Sequence, residues 1–341
     1  MSKTVTLSKN LINLYIMFHA CDVMFESWRL RALNISAFFV DYYYTSDGSI
    51  STLSEIPSQI CFPVIQKYHY WMSLADKRVE NWPLMSSPWP TFAIIMLYLY
   101  ICLRGPQHMA NRKAFTNLKP FILFYNFLTV LLNLYIAMEL WITLRTRKID
   151  FYWTCESVDY SEEWSAVRIA KALWWYYASK CFEMLDSVFF ILRKKEEQLT
   201  FLHIYHHSTM FGLWWIGVKF VAGGSAFPGA MLNSAVHVIM YSYYFIAALG
   251  PAYRGWLWWK KYLTIVQLAQ FTAALVFASK AVIEGDCDFP LWMQYTLICY
   301  MISFLVLFSK YFTKEYCQHK QITHCHNNKH ITAKNGVTTM N

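Results

Sequence analysis

The chain has 341 residues, 56% of them apolar, 19% aromatic and 15% charged, with a formal net charge of +9. An ordinary soluble domain carries about 25% charged residues, and the uncharged runs 81–103 and 220–253 each reach the length of a spanning helix, roughly 20 residues. A soluble globular enzyme is excluded, and so is a transmembrane barrel, whose strands alternate over short segments.

The expected fold class is an all-α polytopic membrane protein. Residues 1–66 read as an atypical amino-terminal extension, lumenal or interfacial: 11–25 is moderately apolar but holds His19 and Asp22, and 37–44 is too short to span. Within it, Asn34-Ile35-Ser36 is a glycosylation sequon. Seven transmembrane helices are predicted over 67–312, at about 89–103, 120–141, 170–192, 200–219, 228–249, 257–279 and 289–311. The tail 313–341 is polar and expected to be cytosolic and disordered. Connections 104–119, 193–199 and 250–261 share one side with the chain after Ser309, and these four segments together hold fifteen of the thirty Lys and Arg residues. The opposite loops, 144–166 and 280–288, are acidic. The positive-inside rule makes the basic side cytosolic. The positive charge is therefore accounted for by topology and membrane lipid, and no nucleic-acid partner is expected. Cys155 and Cys287 both fall in the acidic loops, where an oxidising lumen permits a disulfide between them.

Polar residues inside the predicted spans mark the chemistry, because an ionisable group at bilayer depth is costly. The third span carries Lys180, Glu183 and Asp186 with Ser187, within an arc of about 120°. The fourth carries a histidine box, His203, His206 and His207, whose i, i+3, i+4 spacing puts all three rings within about 100° of one helix face. The fifth adds Asn233, His237, Tyr241 and Tyr244; the sixth adds Thr264, Gln267 and Gln270; the second adds Asn126 and Asn133. In lipid such side chains must face partners or a cavity, so five inward polar stripes argue for one enclosed chamber. Histidine there can serve as base, acid, nucleophile or metal ligand. A di-iron oxygenase also uses histidine boxes, but four membrane histidines, three on one helix, are few for two irons. A seven-helix receptor has no need of such a cluster.

The stretches KCFEMLDS (180–187), QLTFLHIYHH (198–207), HVIMYSYY (237–244), NFLTVLLNLY (126–135) and TIVQLAQF (264–271) resemble, in order, the ELO family of very-long-chain fatty acid elongases, the 3-oxoacyl-CoA synthases of the endoplasmic reticulum. ADKRVENWPLMSSPWPT (75–91), VFFILRKK (188–195) and WWIGVKFVAGG (214–224) tie the chain to one branch of that family. The resemblance runs from about Tyr68 to Phe312, and residues 1–66 lie outside it. Asp186-Ser187 departs from the family's Asp-Thr but keeps the hydroxyl.

The resemblance implies seven helices around an enclosed acyl tunnel, a lumenal Cys155–Cys287 bridge, and a location in the endoplasmic reticulum membrane with a lumenal amino terminus and a cytosolic carboxyl terminus. It implies a condensation of acyl-CoA with malonyl-CoA, both bound as substrates, with no bound cofactor and no metal. Homo- or hetero-oligomers with other elongases, and with the reductases and dehydratase of the elongation cycle, are implied partners. The catalytic candidates are His203, His206, His207, His237, Lys180, Glu183 and Asp186, with His206 as the acyl acceptor. Substrate contacts are expected from Asn126, Asn133, Gln198, Asn233, Tyr241, Tyr244, Gln267 and Gln270.

Overall fold

The computed structural model describes residues 58–147, 155–285 and 288–318. The chain divides into two compact units, Met1–Ser73 and Leu74–Asn341. In the first unit the described element is helix α1, Ser58–Ser73. Asn34, with most of the expected extension, lies outside the described residues.

The second unit contains helices α2 (Trp89–Met109), α3 (Lys119–Thr146), α4 (Trp164–Glu183), α5 (Leu185–Leu192), α6 (Phe201–Phe220), α7 (Phe227–Leu249), α8 (Lys260–Glu284) and α9 (Leu291–Phe312). Among the described residues there is no strand. Proline in the first turn starts α2, α3 and α7, where its missing N–H costs no hydrogen bond. Thr200 caps α6 by accepting from the His203 N–H at 3.2 Å. Gly285, at φ +73°, ends α8 in the left-handed conformation.

Each of the seven predicted spans falls on helix. Five helical stretches, Trp89–Met109, Lys119–Thr146, Gly224–Leu249, Lys260–Glu284 and Leu291–Tyr316, are long and apolar enough to cross a membrane. The other two predicted spans lack that apolar character because they carry the polar residues: Arg168, Lys171, Lys180 and Glu183 on α4, and three histidines with Lys219 on α6. The third predicted span is also two helices rather than one. At Met184 the backbone tightens, with Met184 N–H bonded to the Cys181 carbonyl at 3.3 Å and Ser187 N–H to the Met184 carbonyl at 3.2 Å. Bonds of this i+3 type wind the chain more tightly than an α-helix. Within the expected tail, Thr313–Gln318 form a π-helical turn, with Lys260 Nζ on Glu315 Oε1 at 2.7 Å; the rest of it lies outside the described residues.

The helices close into a ring. α6 packs on α4, α4 on α3, α3 on α7, α7 on α8, α8 on α9, and α9 returns to α6. α2 lies outside the ring against α6 and α5. Large apolar side chains on α2 and α3 face outward, Phe92, Leu97, Phe121 and Phe124 among them, as lipid-facing residues would. One end of the ring is fastened by Arg78. Its guanidinium pairs with Asp76 at 2.6 Å and donates to the carbonyls of Asp159 at 2.6 Å, Ser161 at 3.3 Å and Ala222 at 3.4 Å. Gly224 lets the same loops meet, since a Cβ there would lie 2.6 Å from the Glu156 carbonyl.

Cys155 belongs to this end and is disulfide-bonded; Cys287 lies outside the described residues. A native bridge typically contributes about 2–4 kcal/mol. Cys155→Ser is therefore expected to lower the melting temperature of the detergent-solubilised protein while leaving turnover close to wild type, because the charged cluster is built by other elements. Identical melting curves with and without reductant would count against a stabilising bridge.

Candidate functional site

The polar residues of α3, α4 and α7 meet inside the ring around one carboxylate. Glu183 is fully buried and Lys180 is 1% exposed. Lys180 Nζ donates to both Glu183 oxygens, at 3.0 and 3.1 Å, and to Asn233 Oδ1 at 3.2 Å. His237 Nδ1 lies 3.1 Å from Glu183 Oε1, and Asn133 Nδ2 and Ser179 Oγ each donate to it at 3.4 Å. The ammonium sits 4.3 Å above the centre of the Tyr176 ring, a cation–π contact, and the Tyr176 hydroxyl donates to Asn233 Oδ1 at 2.6 Å. Two opposite charges, each with several hydrogen bonds, satisfy the condition under which burying an ion pair is tolerable.

Asp186 stands apart from this pair. Beyond the Met184 tightening it accepts a 2.8 Å hydrogen bond from Tyr241 on α7. Ser187, next along, is fully buried, and its hydroxyl lies 2.8 Å from His203 Nε2 and 2.9 Å from the Tyr98 hydroxyl. The three expected charges thus serve two different arrangements.

The histidine box faces this wall from α6. Ring centres of His203 and His207 are 4.4 Å apart, those of His206 and His207 are 5.2 Å apart, and His206 is 6.4 Å from His237. Among the described residues, His206 Nδ1 is the only imidazole nitrogen that is buried without a hydrogen-bond partner. His203 and His237 each have a nitrogen at a fixed partner, Ser187 and Glu183 respectively.

The expected substrate-contacting residues divide. Asn126, Asn133, Asn233 and Tyr241 are buried in the ring. Gln267 and Gln270 are half-buried, and Gln267 Nε2 meets the Met240 sulfur at 3.5 Å. Tyr244 packs edge-on against Tyr241 at 5.6 Å but is 37% exposed. Gln198 does not join them. It ends the exposed 3-10 turn Glu196–Gln198, ahead of α6, because Thr200 caps the helix two residues later. Tyr176, Ser179 and Tyr98 make contacts with the cluster that the sequence reading passed over. Tyr176 lies one turn before Lys180, the one available signal, but it sits in the aromatic run Trp174-Trp175-Tyr176-Tyr177, where nothing distinguishes it.

The fold is a ring of largely apolar helices, and inside it a buried ion pair lies opposite a histidine cluster: together these define a multi-pass helical membrane protein with a polar interior. The comparison with known proteins then specifies the family. The profile of ELO, the GNS1/SUR4 family, matches residues 83–324, and the chain belongs to that family. It is 46% identical over 295 residues to very long chain fatty acid elongase 4 of Macaca mulatta, covering 86% of this chain and 89% of the relative. It is 48% identical over 275 residues to the Homo sapiens protein of the same name, covering 81% and 86%. Very long chain fatty acid elongase 7 of Rattus norvegicus is 41% identical over 268 residues, covering 78% and 94%. A match over 86% of the chain is longer than residues 67–341, so it takes in part of the amino-terminal segment left outside the motif resemblance.

Proposed function

We propose that this chain is the condensing enzyme of fatty acid elongation, a very-long-chain 3-oxoacyl-CoA synthase. It joins a long-chain or very-long-chain acyl-CoA with malonyl-CoA and yields 3-oxoacyl-CoA, CO2 and CoA. Family membership and the names of the relatives support elongation. The observation that carries the condensation chemistry is the unpartnered His206 nitrogen, within a histidine cluster that faces the Lys180–Glu183–His237 group.

In this reading a His206 nitrogen attacks the acyl thioester carbonyl. The carbon–sulfur bond breaks, the imidazole proton passes to the departing CoA thiolate, and an acyl-imidazole remains. Malonyl-CoA then loses CO2, and the electron pair of the broken carbon–carbon bond forms a thioester enolate. The enolate carbon attacks the acyl-imidazole carbonyl and expels the imidazole nitrogen, which takes up one proton from the medium, the proton that the overall reaction consumes. Splitting one hard step into two lowers each barrier. His237 and Lys180 are placed to stabilise developing negative charge, and such preorganised electrostatics are commonly the largest catalytic contribution. Glu183 holds both of them, while His203 and His207 orient His206 or move its proton. Asp186 acts through Tyr241. Asn126, Asn133, Asn233, Gln267 and Gln270 line the acyl path, and Gln198 contacts substrate outside the ring.

The wider reading places all seven helices across the endoplasmic reticulum membrane around an acyl tunnel. The amino terminus is lumenal and the basic connections cytosolic, where anionic CoA arrives. The enzyme works as a homo- or hetero-oligomer beside the reductases and dehydratase of the cycle, with no bound cofactor. Microsomes expressing the chain, supplied with labelled malonyl-CoA and a ladder of acyl-CoA lengths, are expected to release 3-oxoacyl-CoA for some of them. Absence of product across the whole ladder would refute the proposal.

A further inference from the structure

α2 packs outside the ring and supplies none of the residues placed so far in the reaction. One of its side chains nevertheless reaches the histidine box. Tyr98 is 4% exposed, and its hydroxyl lies 2.9 Å from Ser187 Oγ, which in turn lies 2.8 Å from His203 Nε2. Three side chains from three helices, α2, α5 and α6, form one hydrogen-bonded line ending on an imidazole.

The chemistry of the line gives it a direction. A serine hydroxyl has a single proton and can donate to only one neighbour. A phenol is the more acidic hydroxyl and the better donor. The Cys102 thiol, one turn further along α2, lies beside both the Tyr98 and the Ser187 hydroxyls, but a thiol is a weak donor and a weak acceptor. The Tyr98 O–H therefore donates to Ser187, and the Ser187 O–H donates to His203 Nε2. That nitrogen must be unprotonated, so the neutral ring carries its proton on Nδ1. The opposite direction leaves the phenol with only sulfur to donate to.

We infer that Tyr98 is a positioning residue for this enzyme: acting through Ser187, it fixes the tautomer and ring orientation of His203. The inference rests on the proposed reading of the histidine box and extends it to a helix outside the ring. If the phenol oxygen is removed, only the weak Cys102 thiol is left beside the Ser187 hydroxyl on that side. That hydroxyl can then rotate to accept from His203 Nε2–H, which lets the wrong tautomer form. His203 stacks 4.4 Å from His207, so an altered ring state propagates to the rest of the box.

Tyr98→Phe removes one oxygen and keeps the ring. Its expected effect is a fall in kcat of about five- to tenfold, the size of one neutral hydrogen bond, with unchanged KM for both CoA substrates and an unchanged melting temperature. Tyr98→Phe added to Ser187→Ala is expected to cost nothing beyond Ser187→Ala alone, because both break the same line. Wild-type kcat in Tyr98→Phe, a change in KM alone, or additive losses in the double variant would each overturn the inference. A second measurement is independent of turnover. In histidine-15N-labelled protein in lipid nanodiscs, the His203 signal, identified by its loss in His203→Gln, is expected to show the Nδ1–H tautomer in wild type and mixed tautomers in Tyr98→Phe. An Nε2–H signal in wild type, or an unaltered spectrum in Tyr98→Phe, would sink the idea. Loss of all elongation in wild type would instead strike the proposed function, and the spectrum would still report on the line.

Discussion

Glu183→Ala is expected to abolish turnover and to destabilise the fold by about 3–5 kcal/mol, the range for breaking one side of a buried ion pair. The carboxylate is fully buried and gathers Lys180, His237, Asn133 and Ser179 at 3.0 to 3.4 Å. Without it the Lys180 ammonium keeps Asn233 Oδ1, the Tyr176 ring and a long 3.5 Å contact with His237 Nδ1, and no anion. A buried cation with so little compensation is strongly disfavoured. Glu183→Gln retains shape and one acceptor, so it should lose activity with a smaller fall in stability. Thermal unfolding of purified protein in detergent, beside the elongation assay, separates the two effects. A Glu183→Ala protein that melts like wild type would show that the pair adds nothing to the fold.

His206→Ala is expected to eliminate the acyl-enzyme and to lower elongation at least about a thousandfold, the scale of losing a nucleophile. Incubation with labelled acyl-CoA and no malonyl-CoA isolates the first half-reaction. Wild type should retain label on the protein; His203→Ala and His237→Ala should still label, more slowly, because those rings are held at Ser187 and Glu183. A labelled adduct surviving in His206→Ala would reassign the acceptor. Hydroxylamine release of the label would then show which class of side chain carries it.

The apolar runs were enough to locate the five helical stretches long and apolar enough to span, because length without charge is a one-dimensional signal. The histidine box and the Lys180–Glu183 pair were legible for a related reason: three- and four-residue spacing fixes a common face on any helix. What depends on neighbouring elements was not legible. The tightening at Met184 leaves no mark in KCFEMLDS, yet it separates Glu183 from Asp186 and sends them to different partners on α7. Gln198 was grouped with the site because it borders the box in sequence, whereas the Thr200 cap leaves it exposed ahead of the helix. Tyr176 and Tyr98 gain their roles from helices far along the chain, through Asn233 and Ser187. One tyrosine among many carries no such information.

The fastening by Arg78 has a consequence for how the protein is made. Its acceptors lie at Asp159, Ser161 and Ala222, so the last of them emerges long after the guanidinium does. At roughly 5–20 residues per second of synthesis, the interval is about seven to thirty seconds. Throughout that time Arg78 has Asp76 alone as its ion-pair partner, and the helices between them are already present without their final anchor. The Arg78 fastening is therefore completed only once the chain has passed α6, before α7, α8 and α9 close the ring.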